Sequence, residues 1–67
     1  MDKSPIAKNI KRARKKLGLT QEQLAVKAGI PYATLSKIES GQVTNPTVST
    51  LKKIADALNI SVDDILN

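Results

Sequence analysis

Few residue types that carry catalysis occur in this 67-residue chain. It has no His and no Cys, which removes the usual general base, the commonest metal ligand, thiolate chemistry and disulfide staples. The six carboxylates are scattered, and only Asp63 and Asp64 are adjacent; adjacent helical residues do not face each other. Ser49 and Lys53 stand one helical turn apart, but a hydroxyl in a capping turn beside a solvated Lys explains them without an activated nucleophile. No glycine loop of the phosphate-binding type is present. An enzyme is not expected, and neither a metal nor a cofactor. What remains is charge. Residues 1–16 hold seven basic residues (Lys3, Lys8, Lys11, Arg12, Arg14, Lys15 and Lys16) against Asp2, whereas residues 17–67 carry a net −1, so the whole +5 sits in the first quarter. A basic excess of this kind points to a polyanion, either nucleic acid or an anionic membrane surface.

The length allows one small domain over residues 1–67, of modest stability because so short a chain buries only roughly 60% of its unfolded surface. No apolar run approaches the roughly 20 residues of a membrane span, and no stretch resembles a signal peptide. A cytoplasmic location without a membrane partner is therefore expected. Tyr32 is the single aromatic, so the core must be aliphatic, and there is no stacking platform for single-stranded nucleic acid.

Helical periodicity runs through the chain, and nothing alternates like a strand. The pattern predicts helices over 5–17, 21–28, 32–40, 48–58 and 62–66, an all-α globule. Ser4 and Pro5 suit the first start, and Thr20 with Gln23 forms a capping-box pattern. Pro31 sets the backbone before the third helix. Thr47 and Ser61 cap the fourth and fifth, with Asp63 and Asp64 in the last first turn. Gly18, Gly29, Gly41 and Asn59 end the preceding helices. The expected core is Ile6, Ile10, Ala13, Leu17, Leu19, Leu24, Ala25, Ala28, Ile30, Leu35, Ile38, Leu51, Ile54, Ala55, Leu58, Ile60, Val62, Ile65 and Leu66, with Val48 also facing inward.

The second and third helices are separated by only Gly29-Ile30-Pro31. Two helices crossing steeply over so short a turn nearly touch, so the facing residue must be small, and Ala25 is placed there. Gly29 supplies a backbone conformation that a β-carbon opposes. This is the pattern of a helix-turn-helix, whose second helix can enter a DNA major groove; an ordinary αα-corner is the alternative.

The run Leu19-Thr20-Gln21-Glu22-Gln23-Leu24-Ala25, then Ala28-Gly29-Ile30 and Leu35-Ser36-Lys37-Ile38-Glu39-Ser40-Gly41, resembles the phage repressor/Cro-like (XRE-type) helix-turn-helix domains. Asn45-Pro46-Thr47, residues 51–58 and residues 61–66 continue the resemblance, which covers about residues 6–66. It implies a compact five-helix fold resembling the lambda-repressor DNA-binding domain. It further implies a sequence-specific regulator of transcription that binds double-stranded DNA, a repressor on an inverted-repeat operator. The alternative is a DNA-binding antitoxin or regulator subunit that acts mainly through a protein partner.

Carried over by position, the resemblance places base reading at Tyr32, Ala33, Thr34, Ser36 and Lys37, and phosphate contacts at Gln21, Ser40, Gln42, Thr44, Asn45 and Thr47. It also makes Arg14 and Glu39 a partly buried, structural ion pair; two solvated charges are the alternative. Two departures stand out: Pro31 has no side-chain acceptor to cap the third helix, and the 42–47 loop has no Lys or Arg. A homodimer, at least on DNA, would use Ile60, Val62, Ile65 and Leu66, unless these only close the monomer's core. Span 21–40 is neutral, so the basic first helix is expected to supply long-range attraction and flanking phosphate contacts, Lys11 among them.

Overall fold

The apolar stripes become the inner faces of short helices, and the turn residues between them fold each helix back on the last. The computed structural model describes residues 5–67. Its elements are α1 (Pro5–Lys16), α2 (Gln21–Ala28), α3 (Tyr32–Glu39), α4 (Val48–Leu58) and α5 (Val62–Leu66), with no strand among the described residues. The expected Ser4 cap lies outside the described residues.

Three of the helices end by one device. After α1, Gly18 N–H donates to Lys15 O and Leu19 N–H reaches back to Arg14 O; after α2, Gly29 and Ile30 do the same to Val26 O and Ala25 O. After α4, Asn59 and Ile60 repeat it on Asp56 O and Ala55 O. The pivot residue is left-handed each time, with φ of 72° at Gly18 and Gly29 and 61° at Asn59. This closure satisfies the last carbonyls and turns the following apolar residue back onto the helix. Leu19, Ile30 and Ile60 accordingly pack against the core.

Helix starts are equally local. Thr20 Oγ1 accepts from Gln23 N–H at 3.0 Å while Gln23 Oε1 accepts from Thr20 N–H at 2.9 Å. Ser61 and Asp64 make the same reciprocal pair at 3.0 and 3.1 Å.

The core holds Ile10, Leu24, Leu35, Ile38, Ile54 and Ile65 fully buried. Complete burial of such a side chain contributes about 1.5–3 kcal/mol. α1 packs on α3 and α5, and α2 on α3 and α4. Asn9 Nδ2 donates to Ile65 O at 2.8 Å, which ties α1 to the last helix.

Three expected core residues face solvent instead. Leu17 is 50% exposed because α1 ends at Lys16 and the Gly18 turn sends Leu19 inward in its place. Val48, at 77% exposed, begins α4 one turn before its buried stretch opens at Leu51. Leu66 is 41% exposed, since the short α5 turns Ile65 inward and the next residue outward. Conversely, Ala7 and Ala57 are buried without having been expected there; a methyl group gives a weak periodic signal. The third helix also stops at Glu39, with Ser40 as its cap.

Candidate nucleic-acid interface

Ala25 is 2% exposed on α2, which packs on α3 and α4, and the left-handed Gly29 makes the corner between α2 and α3. This corner projects α3 from the domain with one side buried through Leu35, Ile38 and Glu39. Its outer positions are Tyr32, Ala33 and Lys37, all exposed, with Thr34 and Ser36 half-buried. Pro31 provides no side-chain cap; instead its carbonyl accepts from Thr34 N–H and Leu35 N–H at 3.1 and 3.2 Å.

Two shallow grooves flank this helix. Arg14, Thr20, Gln21 and Glu22 line the first together with Tyr32. Thr34 and Lys37 line the second with Asn45, Thr47 and Thr50 and with the apolar Ile38, Val43 and Pro46. The fold thus gathers residues from three parts of the chain around α3. Ala33, Ser36, Ser40, Gln42 and Thr44 do not line either groove, and Lys11 lines a separate one on α1 with Lys8, Arg12 and Lys15.

The first groove rests on a buried charge network. Arg14 Nε and Nη2 donate to the two oxygens of Glu39 at 2.8 and 3.0 Å, a bidentate pair, and Arg14 Nη1 donates to Leu19 O at 2.8 Å. The Glu39 side chain is 1% exposed and that of Arg14 11%. Gln21 Nε2 adds a third donor to the carboxylate at 3.1 Å. An ionised carboxylate only accepts, so this bond turns the amide nitrogen of Gln21 inward and its carbonyl oxygen away. A carboxylate this deeply placed is tolerated because its two oxygens receive three donated hydrogen bonds, two of them from a cation. The sequence reading missed the Gln21–Glu39 bond. The residues are 18 apart, and no periodic signal links them.

The second groove is held by hydroxyls near the surface. Ser40 Oγ donates to Lys37 O at 3.0 Å and accepts from Gln42 N–H at 3.3 Å. Thr47 Oγ1 accepts from Thr50 N–H at 3.1 Å, which caps α4. Gly41, at φ 84°, and Val43, whose N–H donates to Lys37 O, turn the chain between them.

Among the described residues no group of three or more His, Cys, Asp or Glu converges to hold a metal, and no helix is long and apolar enough to cross a membrane. Of the dimer candidates, Ile65 is wholly buried in the monomer, Ile60 and Val62 are half-buried, and Leu66 is exposed.

A short corner between two helices, a small buried residue on the first and a second helix with one face outward define a helix-turn-helix domain. The chain belongs to the helix-turn-helix family, whose model matches residues 10–65. It is similar to the transcriptional regulator SinR of Bacillus licheniformis, with 40% identity over 62 residues that cover 92% of this chain and 56% of that protein. It is also similar to the cryptic phage CTXphi transcriptional repressor RstR of Vibrio cholerae, with 42% identity over 60 residues, 90% of this chain and 53% of that protein. A crystal structure of SinR, the master regulator for biofilm formation, in complex with DNA shares the fold. Its TM-score is 0.90 at 39% identity, covering 92% of this chain and 98% of that one. The chain spans about half the length of the relatives it matches.

Proposed function

We propose that this chain binds double-stranded DNA sequence-specifically and regulates transcription, as a repressor that occupies an inverted-repeat operator. The observation that carries this reading is α3 itself: its exposed first turn stands between two shallow grooves in a domain whose likeness includes a DNA-bound relative. Lys37 donates to guanine O6 and N7, while Ala33 and the Thr34 methyl meet a thymine methyl. The Tyr32 and Ser36 hydroxyls supply further contacts to base or phosphate. With few strong readers, part of the specificity comes from DNA shape.

Phosphates occupy the two grooves. Gln21 offers its backbone N–H at the start of α2 and its second amide hydrogen, the first being held by Glu39. On the other side stand Asn45 and Thr47 in the groove and Ser40, Gln42 and Thr44 outside it, with the first N–H groups of α4 beside them. Lys11 and its neighbours on α1 attract the duplex over longer range. No catalytic step belongs to this mechanism, and the cytoplasm is its place of action.

A homodimer on DNA forms through Leu66, Ile60 and Val62, with Ile65 shaping the surface from within, and sets half-sites about 34 Å apart. Selection of sites from a random DNA pool by the purified chain tests this reading. The expected result is one motif with two-fold symmetry and regular half-site spacing. An unenriched pool would reject sequence-specific binding and favour a role exercised through a protein partner.

A further inference from the structure

We propose that the outward face of α1 is a second duplex-binding surface, so that one copy of the chain holds two DNA segments, one on α3 and one on a stripe of cations. This rests on the DNA-binding reading of α3. Lys8, Lys11, Arg12 and Lys15 line one shallow groove. It shares no residue with the groove of Arg14, Gln21 and Tyr32. All four side chains are exposed, and α1 contains no acidic residue. Among the described residues the one ion pair is Arg14–Glu39, which leaves the stripe without a counter-charge. Spacings of three and four residues set these like charges against each other along the helix, an arrangement that costs stability unless an anion neutralises it.

Direction separates the stripe from the reading head. Arg14 points into the junction with α3, at Glu39. At about 100° of rotation per residue, Lys11 lies about 60° round α1 from Arg14, Lys15 about 100°, Lys8 about 120° and Arg12 about 160°. Lys11 can therefore flank a duplex seated on α3. Arg12 is on the opposite side of the helix and points away from the junction with α3.

The chemistry fits duplex phosphate. From Lys8 to Lys15 the stripe runs about 10 Å, against a duplex that carries a charge every 1.7 Å or so. A lipid surface would need an apolar face on α1, but its buried residues, Ala7 and Ile10, lie within the domain. Binding there is sequence-independent and salt-sensitive.

Capture of a second duplex is the test. A duplex carrying the selected site is immobilised, the intact chain is added, and a fluorescent duplex of random sequence is offered. Wild type is expected to retain the second duplex, less so as salt rises. Lys8→Gln combined with Arg12→Gln should cut that capture about tenfold, and lower affinity for the immobilised site by a clearly smaller factor, through the lost long-range attraction alone. Both side chains are exposed, so circular dichroism should show an unchanged fold. Undiminished capture by this variant overturns the proposal, because two reading heads of a dimer would then be bridging. Wild type that holds the first duplex and not the second overturns it too, as does α1-dependent binding to phosphatidylglycerol vesicles in preference to duplex. If even the first duplex is not held, the reading of α3 fails along with it.

Discussion

The two grooves beside α3 have the same proposed ligand and are built in opposite ways. The Gln21 side depends on a buried carboxylate met by donors 25 and 18 residues away. The Thr47 side depends on hydroxyl bonds across two or three residues at the surface. The first construction couples three helices and fixes one amide orientation, at the risk of stranding a charge. The second is local, so its failure stays local. A phosphate contact can thus be positioned by the tertiary fold or by the turn that carries it, and the consequences of damage should differ accordingly.

The largest effect is expected from breaking the first construction. Glu39→Ala leaves Arg14 with a nearly buried, unpaired charge and should cost about 3 kcal/mol, a large share of the roughly 3–10 kcal/mol available to a domain of this size. Arg14→Met with Glu39→Met should cost less than Glu39→Ala alone. Urea denaturation of the three proteins measures this, and a double variant less stable than the single one would show that the pair is not buried as described.

Next comes the corner that both grooves share. Ala25→Leu inserts bulk where α2 meets α3 and should destabilise the domain by about 1–3 kcal/mol while displacing α3. Normal DNA binding by a folded Ala25→Leu protein would mean that the helix-turn-helix crossing lies elsewhere.

The head and its flank are then distinguished by sequence. Lys37→Ala should lose about 1–3 kcal/mol on the selected site and less on random DNA, whereas Gln21→Ala should weaken both about equally. Titration of each variant against both duplexes decides the assignment; equal losses for Lys37→Ala would remove it from the base readers.

The smallest effect belongs to the local construction. Thr47→Ala removes the α4 cap and should cost about 1 kcal/mol in thermal melting, without disturbing the Arg14–Glu39 pair. If Thr47→Ala destabilised the domain as much as Glu39→Ala, the contrast between the two grooves would collapse.

Much of the fold could be read in advance because it depends on neighbours in the chain. Thr20 with Gln23, Ser61 with Asp64, and the turns at Gly18, Gly29 and Asn59 act through hydrogen bonds spanning five residues or fewer. Periodicity failed at helix ends, where Leu17, Val48 and Leu66 have an apolar side chain but no neighbouring helix to cover it. It also overlooked Ala7 and Ala57, which are too small to mark a stripe although other helices close over them. At the interface, family likeness indicated the Arg14–Glu39 pair and, apart from it, Gln21. That all three meet on one carboxylate depends on where α1, α2 and α3 converge.

The sequence by itself determined the five helices, their caps, the corner between α2 and α3 and the concentration of positive charge on α1. These follow from a 3.6-residue period, short hydrogen bonds and composition, all of which act over a few residues. Only the tertiary structure decided the depth of Glu39, the inward turn of the Gln21 amide and the separation of the α1 cations from the reading head. Burial and direction are set by what packs on the far side of a residue, and that neighbour is distant in the chain.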